Sequence, residues 1–68
     1  MPVQWVYQAG SMWIPFDPKS NACVEQLWRT GSAGNVFVPS LHGFVYINGQ
    51  NLYAQQCSIR FPIARTGS

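Results

Sequence analysis

The side chains that could perform acid–base, nucleophilic or metal chemistry are few in this chain. They comprise one histidine, His42, two carboxylates, Asp17 and Glu25, and two thiols, Cys23 and Cys57. Catalysis by such groups requires that a nucleophile, a base and an orienting partner converge. The two carboxylates are explained by a helix, as argued below, and the chain contains no glycine-rich phosphate loop or nucleophile elbow. We therefore expect no enzymatic activity.

The two cysteines do not form a metal-binding pattern, because there is no CxxC motif and only one histidine accompanies them. We expect neither a metal nor a cofactor. A Cys23–Cys57 disulfide is one alternative, although small secreted scaffolds usually carry more cysteines. The other alternative is a pair of reduced, mostly buried thiols, since free cysteine is among the most buried residue types.

The stretch WIPFDPKSNACVEQLWRTG contains the clearest helix pattern. Asp17 followed by Pro18 can begin a helix, because proline fits the first turn without losing a hydrogen bond. Ser20 is an equally good cap. Gly31 is the expected left-handed stop. The pattern predicts a helix over about residues 18–30.

The apolar residues of this helix fall at steps of one, three and four, which places them on one face: Cys23, Val24, Leu27 and Trp28. Trp28 is the largest of them and is predicted to anchor the helix in the core. Glu25 and Arg29 lie four residues apart in the favourable order on a face open to water. We predict that Glu25 pairs with Arg29 or with a backbone group.

Alternating apolar and polar residues on both sides of the helix predict strands. The candidate strands cover residues 3–8, 12–16, 35–38, 44–47, 52–55 and 58–65. Trp5 and Trp13 are expected in the core. The order predicts an α+β fold over the single domain 1–68, with its core at about 4–65 and one helix packed across a small antiparallel sheet of about six strands.

Charge and hydropathy limit the partners. The net charge is +2, which is too low for a charge-driven DNA or RNA binder. No apolar run approaches the ~20 residues of a membrane helix, and the N-terminus lacks the pattern of a signal peptide. We expect a cytoplasmic or nuclear protein without DNA or membrane partners, and a monomeric module of a larger protein.

Three motifs in the first half of the chain together resemble the WWE domain, a family named for two tryptophans and a glutamate. Trp5-Val-Tyr7 matches W-x-[WY], Trp13-Ile-Pro-Phe16 matches W-x-x-[YF], and Val24-Glu-Gln-Leu-Trp28 matches [IV]-E-x-x-[YFW]. The second half resembles the family in outline, because Gln55 follows Tyr46 by nine residues and the last strand contains arginine. The resemblance covers about residues 4–65 and implies a curved six-stranded half-barrel with one helix across it.

The resemblance also implies a function. Several WWE domains bind poly(ADP-ribose) through its iso-ADP-ribose unit, within ubiquitin ligases or ADP-ribosyltransferases. Carried over, the family's tyrosine and glutamine are Tyr46 and Gln55, which would hold the adenine and phosphates with an arginine. A tyrosine ring offers a stacking face, and a glutamine amide can donate and accept at an adenine edge.

The remaining predicted ligand residues are Gln8, Arg60 and Arg65. Arg60 lies one residue before the family's phosphate-binding arginine position, which is Phe61 here, and Gln8 replaces an aromatic residue of that pattern. Because these basic and aromatic groups are missing, the alternative is a WWE-fold protein-interaction module that has lost ADP-ribose binding. That alternative predicts an exposed aromatic or apolar patch rather than a polar, basic cavity.

Overall fold

The computed structural model describes residues 2–67, which form one sheet and one helix. In chain order the elements are β1 (Gln4–Ala9), β2 (Met12–Pro15), α1 (Pro18–Thr30), β3 (Ala33–Val38), a 3-10 turn (Pro39–Leu41), β4 (Gly43–Asn48), β5 (Tyr53–Gln56) and β6 (Ile59–Thr66). The strands are antiparallel and lie in the order β2-β1-β6-β5-β4-β3. The predicted α+β fold, with six strands and one packed helix, is confirmed. The sheet is open and uncurled, where the resemblance implied a curved half-barrel.

β6 joins the two parts of this sheet by changing its partner halfway along its length. Residues 59–62 pair with β5, and residues 63–66 pair with β1. The β1–β6 pairing ends at Tyr7 opposite Ile63, so the β1–β2 and β5–β6 hairpins separate beyond that point. Pro62 lies at the change of partner, which suits a residue that has no N–H to donate to a ladder.

The helix begins and ends as its sequence predicts. The Asp17 carboxylate accepts a hydrogen bond from the Ser20 N–H at 3.2 Å, and this contact lowers the pKa of Asp17. Gly31 adopts the left-handed conformation, with φ of 63°, and its N–H bonds back to the last turn. The Ser20 hydroxyl donates to the Phe37 carbonyl at 2.8 Å, which ties α1 to β3. Among residues 2–67 no helix is long and apolar enough to span a membrane.

The core lies between α1 and one face of the sheet, which we call the inner face; the opposite face is the outer face. Its buried hydrophobic residues are Trp5, Tyr7, Phe16, Val24, Val36, Val38, Val45, Ile47, Ala54 and Ile63. Strict alternation along β3 and β4 sends every second residue into this core. The prediction that Trp5 is a core residue is confirmed.

The other two tryptophans are not core residues, contrary to prediction. Trp13 is 47% exposed, because it stands opposite Gln8 on the outer face of the edge strand β2, where no element covers it. Trp28 is 39% exposed. Its ring packs edge-on against Trp5, with the centroids 6.0 Å apart, so only part of it is covered. Spacing along a helix gives the direction of a side chain but not how far the sheet extends beneath it.

The predicted burial of the two thiols is also wrong. Cys23 and Cys57 are both free and exposed. Cys23 directly precedes Val24, and Val24 takes the core contact while Cys23 is turned away from it. Cys57 lies in the two-residue turn between β5 and β6 and has a φ of 56°. Neither thiol has a place in the core.

Gly49 allows the turn after β4 to approach the helix closely. It is buried, and its N–H donates to the Ser32 carbonyl at 2.9 Å. A Cβ at this position would lie 2.6 Å from the carbonyl carbon and oxygen of Leu27. Because the obstacle is backbone, it cannot move aside as a flexible side chain would.

We expect Gly49→Ala to lower the free energy of unfolding by about 1–3 kcal/mol, the usual cost of overpacking. Gly34→Ala is the matched control, because its Cβ would make an ordinary 3.7 Å contact with the Leu27 side chain. Urea unfolding of both variants measures the difference. Equal losses of stability in the two variants would contradict this role of Gly49.

Candidate functional site

Glu25 is held by a tryptophan and an arginine. Its Oε1 accepts from Trp5 Nε1 at 2.7 Å and from Arg65 Nε at 3.0 Å, while its Oε2 accepts from Arg65 Nη2 at 2.9 Å. The Arg65 guanidinium also lies 4.3 Å from the centre of the Trp28 ring. The predicted Glu25–Arg29 pair is therefore wrong, because β6 delivers Arg65 to the inner face beside Trp5.

This arrangement fixes the charge of Glu25. Its hydrogen bonds from Arg65, followed by the one from Trp5, lower its pKa from 4.5 to about 2, and the same contact raises the pKa of Arg65. Glu25 is thus a carboxylate at neutral pH and joins α1 to β1 and β6. Arg65, which the resemblance suggested as a ligand residue, is engaged in this pair.

The other predicted ligand residues lie in two neighbouring places. Tyr46, Gln55 and Arg60 are successive cross-strand neighbours on β4, β5 and β6, and all three belong to the outer face. Arg60 Nη2 donates to Gln55 Oε1 at 3.4 Å. The Arg60 guanidinium lies 4.1 Å from the centre of the Tyr53 ring. The register of the sheet therefore brings these three predicted residues together.

A cleft of about 490 Å³ occupies the gap between the β1–β2 and β5–β6 hairpins. This volume lies within the range usual for small-molecule sites. Its lining includes Tyr7, Gln8, Leu41, Gln56, Arg60 and Phe61. Of the predicted ligand residues, Gln8 and Arg60 line the cleft, whereas Tyr46, Gln55 and Arg65 do not.

Aromatic packing and side-chain hydrogen bonds hold the lining of the cleft in place. The Tyr7 ring packs between Phe16 and Phe61, at centroid distances of 5.0 and 5.7 Å, and its hydroxyl is 2.9 Å from Ser40 Oγ. Gln56 Nε2 donates to the Leu41 carbonyl at 2.8 Å. A primary amide also carries an acceptor oxygen, so Gln56 can serve a ligand as well.

Tyr7 and Gln56 are the cleft residues that the sequence reasoning missed. Gln56 directly follows Gln55, and successive residues of a strand point to opposite faces. The apolar Ala54 two positions earlier was the available signal, because a core residue at 54 places residue 56 on the same inner face.

Other chemical possibilities are restricted by what surrounds the cleft. No group of three or more histidine, cysteine or acidic side chains that could hold a metal ion occurs within residues 2–67. Comparisons of the chain with protein-family models, with curated proteins and with solved structures find no match. The resemblance to the WWE family thus depends on the motifs in the sequence.

The pKa of Glu25 predicts how stability depends on pH. A carboxylate whose pKa is lowered by folding stabilises the protein above its unfolded pKa, and this contribution is lost as pH falls. We expect the urea midpoint to drop between about pH 4.5 and 2, and Glu25→Gln to flatten part of that drop. Asp17, whose pKa is also lowered, keeps the remainder. Parallel pH curves for the wild type and Glu25→Gln would contradict the assignment.

Proposed function

We propose that this chain is a non-catalytic binding module that recognises poly(ADP-ribose) through its iso-ADP-ribose unit. In this proposal it acts as a WWE-like domain of a cytoplasmic or nuclear ubiquitin ligase or ADP-ribosyltransferase. The observation that carries the proposal is the cleft between the two hairpins. An aromatic ring, two amides and a cation meet there, from Tyr7, Gln8, Gln56 and Arg60.

The chemistry of the cleft suits a nucleotide with an attached phosphate. Tyr7 and Phe61 give it an aromatic wall against which a purine can pack. The amides of Gln8 and Gln56 offer donors and acceptors to the edge of a base. Arg60 is exposed beside them, and a guanidinium forms strong, charge-assisted hydrogen bonds with phosphate.

Tyr46 and Gln55 stay predicted ligand residues under this proposal. They do not line the cleft, but both belong to the cross-strand row that ends at Arg60. A phosphate held by Arg60 would therefore lie near the cleft and near this row. A polymer that leaves the cleft past Arg60 would reach Gln55 and then Tyr46.

Titration of the isotope-labelled chain with iso-ADP-ribose, followed by NMR, tests the proposal. We expect shifts at Gln8, Gln56 and Arg60. Arg60→Gln should weaken binding about tenfold, since a hydrogen bond to a charged group contributes about 1.5–3 kcal/mol and 1.4 kcal/mol is a factor of ten.

Arg29→Gln is the matched control, because it removes the same charge from an exposed position of the helix. It should bind as the wild type does. An absence of shifts at millimolar ligand would sink the proposal, and so would equal losses of affinity in the two variants. Shifts at Tyr46 and Gln55 without shifts at Gln8 and Gln56 would move the site to the outer face.

A protein-interaction module is the second candidate, and the apolar part of the cleft favours it. Leu41 and Phe61 contribute apolar surface there, and both also pack against the core. Under this alternative, an apolar side chain of a partner protein occupies the cleft in place of adenine. A complex with iso-ADP-ribose that Gln56→Ala abolishes would exclude it.

A further inference from the structure

The outer face of β3 to β6 carries an unusual set of side chains. We call it the aromatic face and define it by Phe37, Phe44, Tyr46, Tyr53, Gln55 and Arg60. The outer positions of these four strands, residues 33–37, 44–48, 53–55 and 60–62 taken alternately, hold no carboxylate and no branched aliphatic residue. Rings, amides and one guanidinium therefore dominate this surface.

The rings of the aromatic face are open to solvent, because α1 covers only the inner face. Phe44 is 68% exposed, Phe37 is 53% exposed and Tyr46 is 37% exposed. Phe37 and Phe44 pack edge-on, with centroids 5.4 Å apart, and Tyr46 lies 6.1 Å from Tyr53. A contiguous exposed group of this kind marks a binding surface on a small domain.

The spacing of the rings selects unpaired bases. Phe44 and Tyr46 are two residues apart on β4, so their attachment points are about 6.8 Å apart at the usual rise of a strand. Bases along one strand of a duplex are only about 3.4 Å apart. Nucleotides that stack on both rings must consequently be splayed, as they are when a sheet with surface aromatics reads single-stranded RNA.

The distribution of charge agrees with an anionic occupant. Asp17 and Glu25, the two carboxylates of the chain, belong to the helix cap and to the helix, away from the outer face. Arg60 supplies a cation at one side of the aromatic face, where it stacks over Tyr53. The amide of Gln55 lies between this cation and Tyr46, within reach of a 2′-hydroxyl or a base edge.

We propose that the aromatic face binds single-stranded RNA, with two or three unpaired bases stacked on its rings and a phosphate held by Arg60. This function is separate from the cleft and does not depend on recognition of ADP-ribose. Stacking on aromatic side chains accepts every base, so little sequence preference is expected. The low net charge excludes binding driven by charge, but it does not oppose binding driven by stacking.

Fluorescence anisotropy with a labelled eight-nucleotide single-stranded RNA of mixed sequence tests the proposal. We expect Phe44→Ala and Tyr46→Ala each to weaken binding about tenfold, the usual effect of removing one stacking ring. Met12→Ala is the matched control, because Met12 is 66% exposed on the distant edge strand β2. It should bind as the wild type does. Urea unfolding of each variant confirms that it is folded.

Salt dependence supplies a second measurement. One phosphate contact predicts a slope of about −0.7 for log K against log salt concentration, and Arg60→Gln should flatten it further. No anisotropy change at 100-fold excess of protein over probe, a slope several times steeper, or equal loss in Met12→Ala would overturn the proposal. Self-association that Phe44→Ala abolishes, in a chain that binds no RNA, would assign this face to protein contact instead.

Discussion

The change of partner halfway along β6 organises this molecule. A strand offers hydrogen bonds on both sides, and β6 satisfies them with β5 in its first half and with β1 in its second half. The two hairpins that it joins must separate where its pairing with β1 ends, and the cleft fills that gap. The same strand delivers Arg65 to the inner face and Arg60 to the outer face, because alternate residues point in opposite directions.

Two polar contacts fix the helix on the sheet, and both use side chains that are buried or partly buried. Ser20 bonds to a carbonyl of β3, and Glu25 accepts from Trp5 while it pairs with Arg65. A carboxylate that is bonded on both oxygens and stays charged carries little desolvation penalty at a partly exposed position. One helix can cover only one face of six strands, and the exposed rings of the outer face follow from that shortage of cover.

Single-residue alternation separates the two surfaces that the proposals use. Gln55 and Gln56 are neighbours in the chain, yet the first lies beside Arg60 on the outer face and the second bonds to the Leu41 carbonyl in the cleft. Arg60 lines the cleft and also contacts Tyr53. An error of one position in assigning a motif to a strand is therefore enough to transfer a predicted ligand residue from one surface to the other.

The sequence alone determined the helix limits, the strand positions and the α+β class, because caps, glycine stops and alternation act through near neighbours in the chain. Only the tertiary structure decided that Glu25 pairs with Arg65, 40 residues away, rather than with Arg29. It also decided that Trp13 is exposed, since an edge strand with an uncovered outer face buries nothing there. Partners brought together by strand register depend on the whole fold, and no local pattern specifies them.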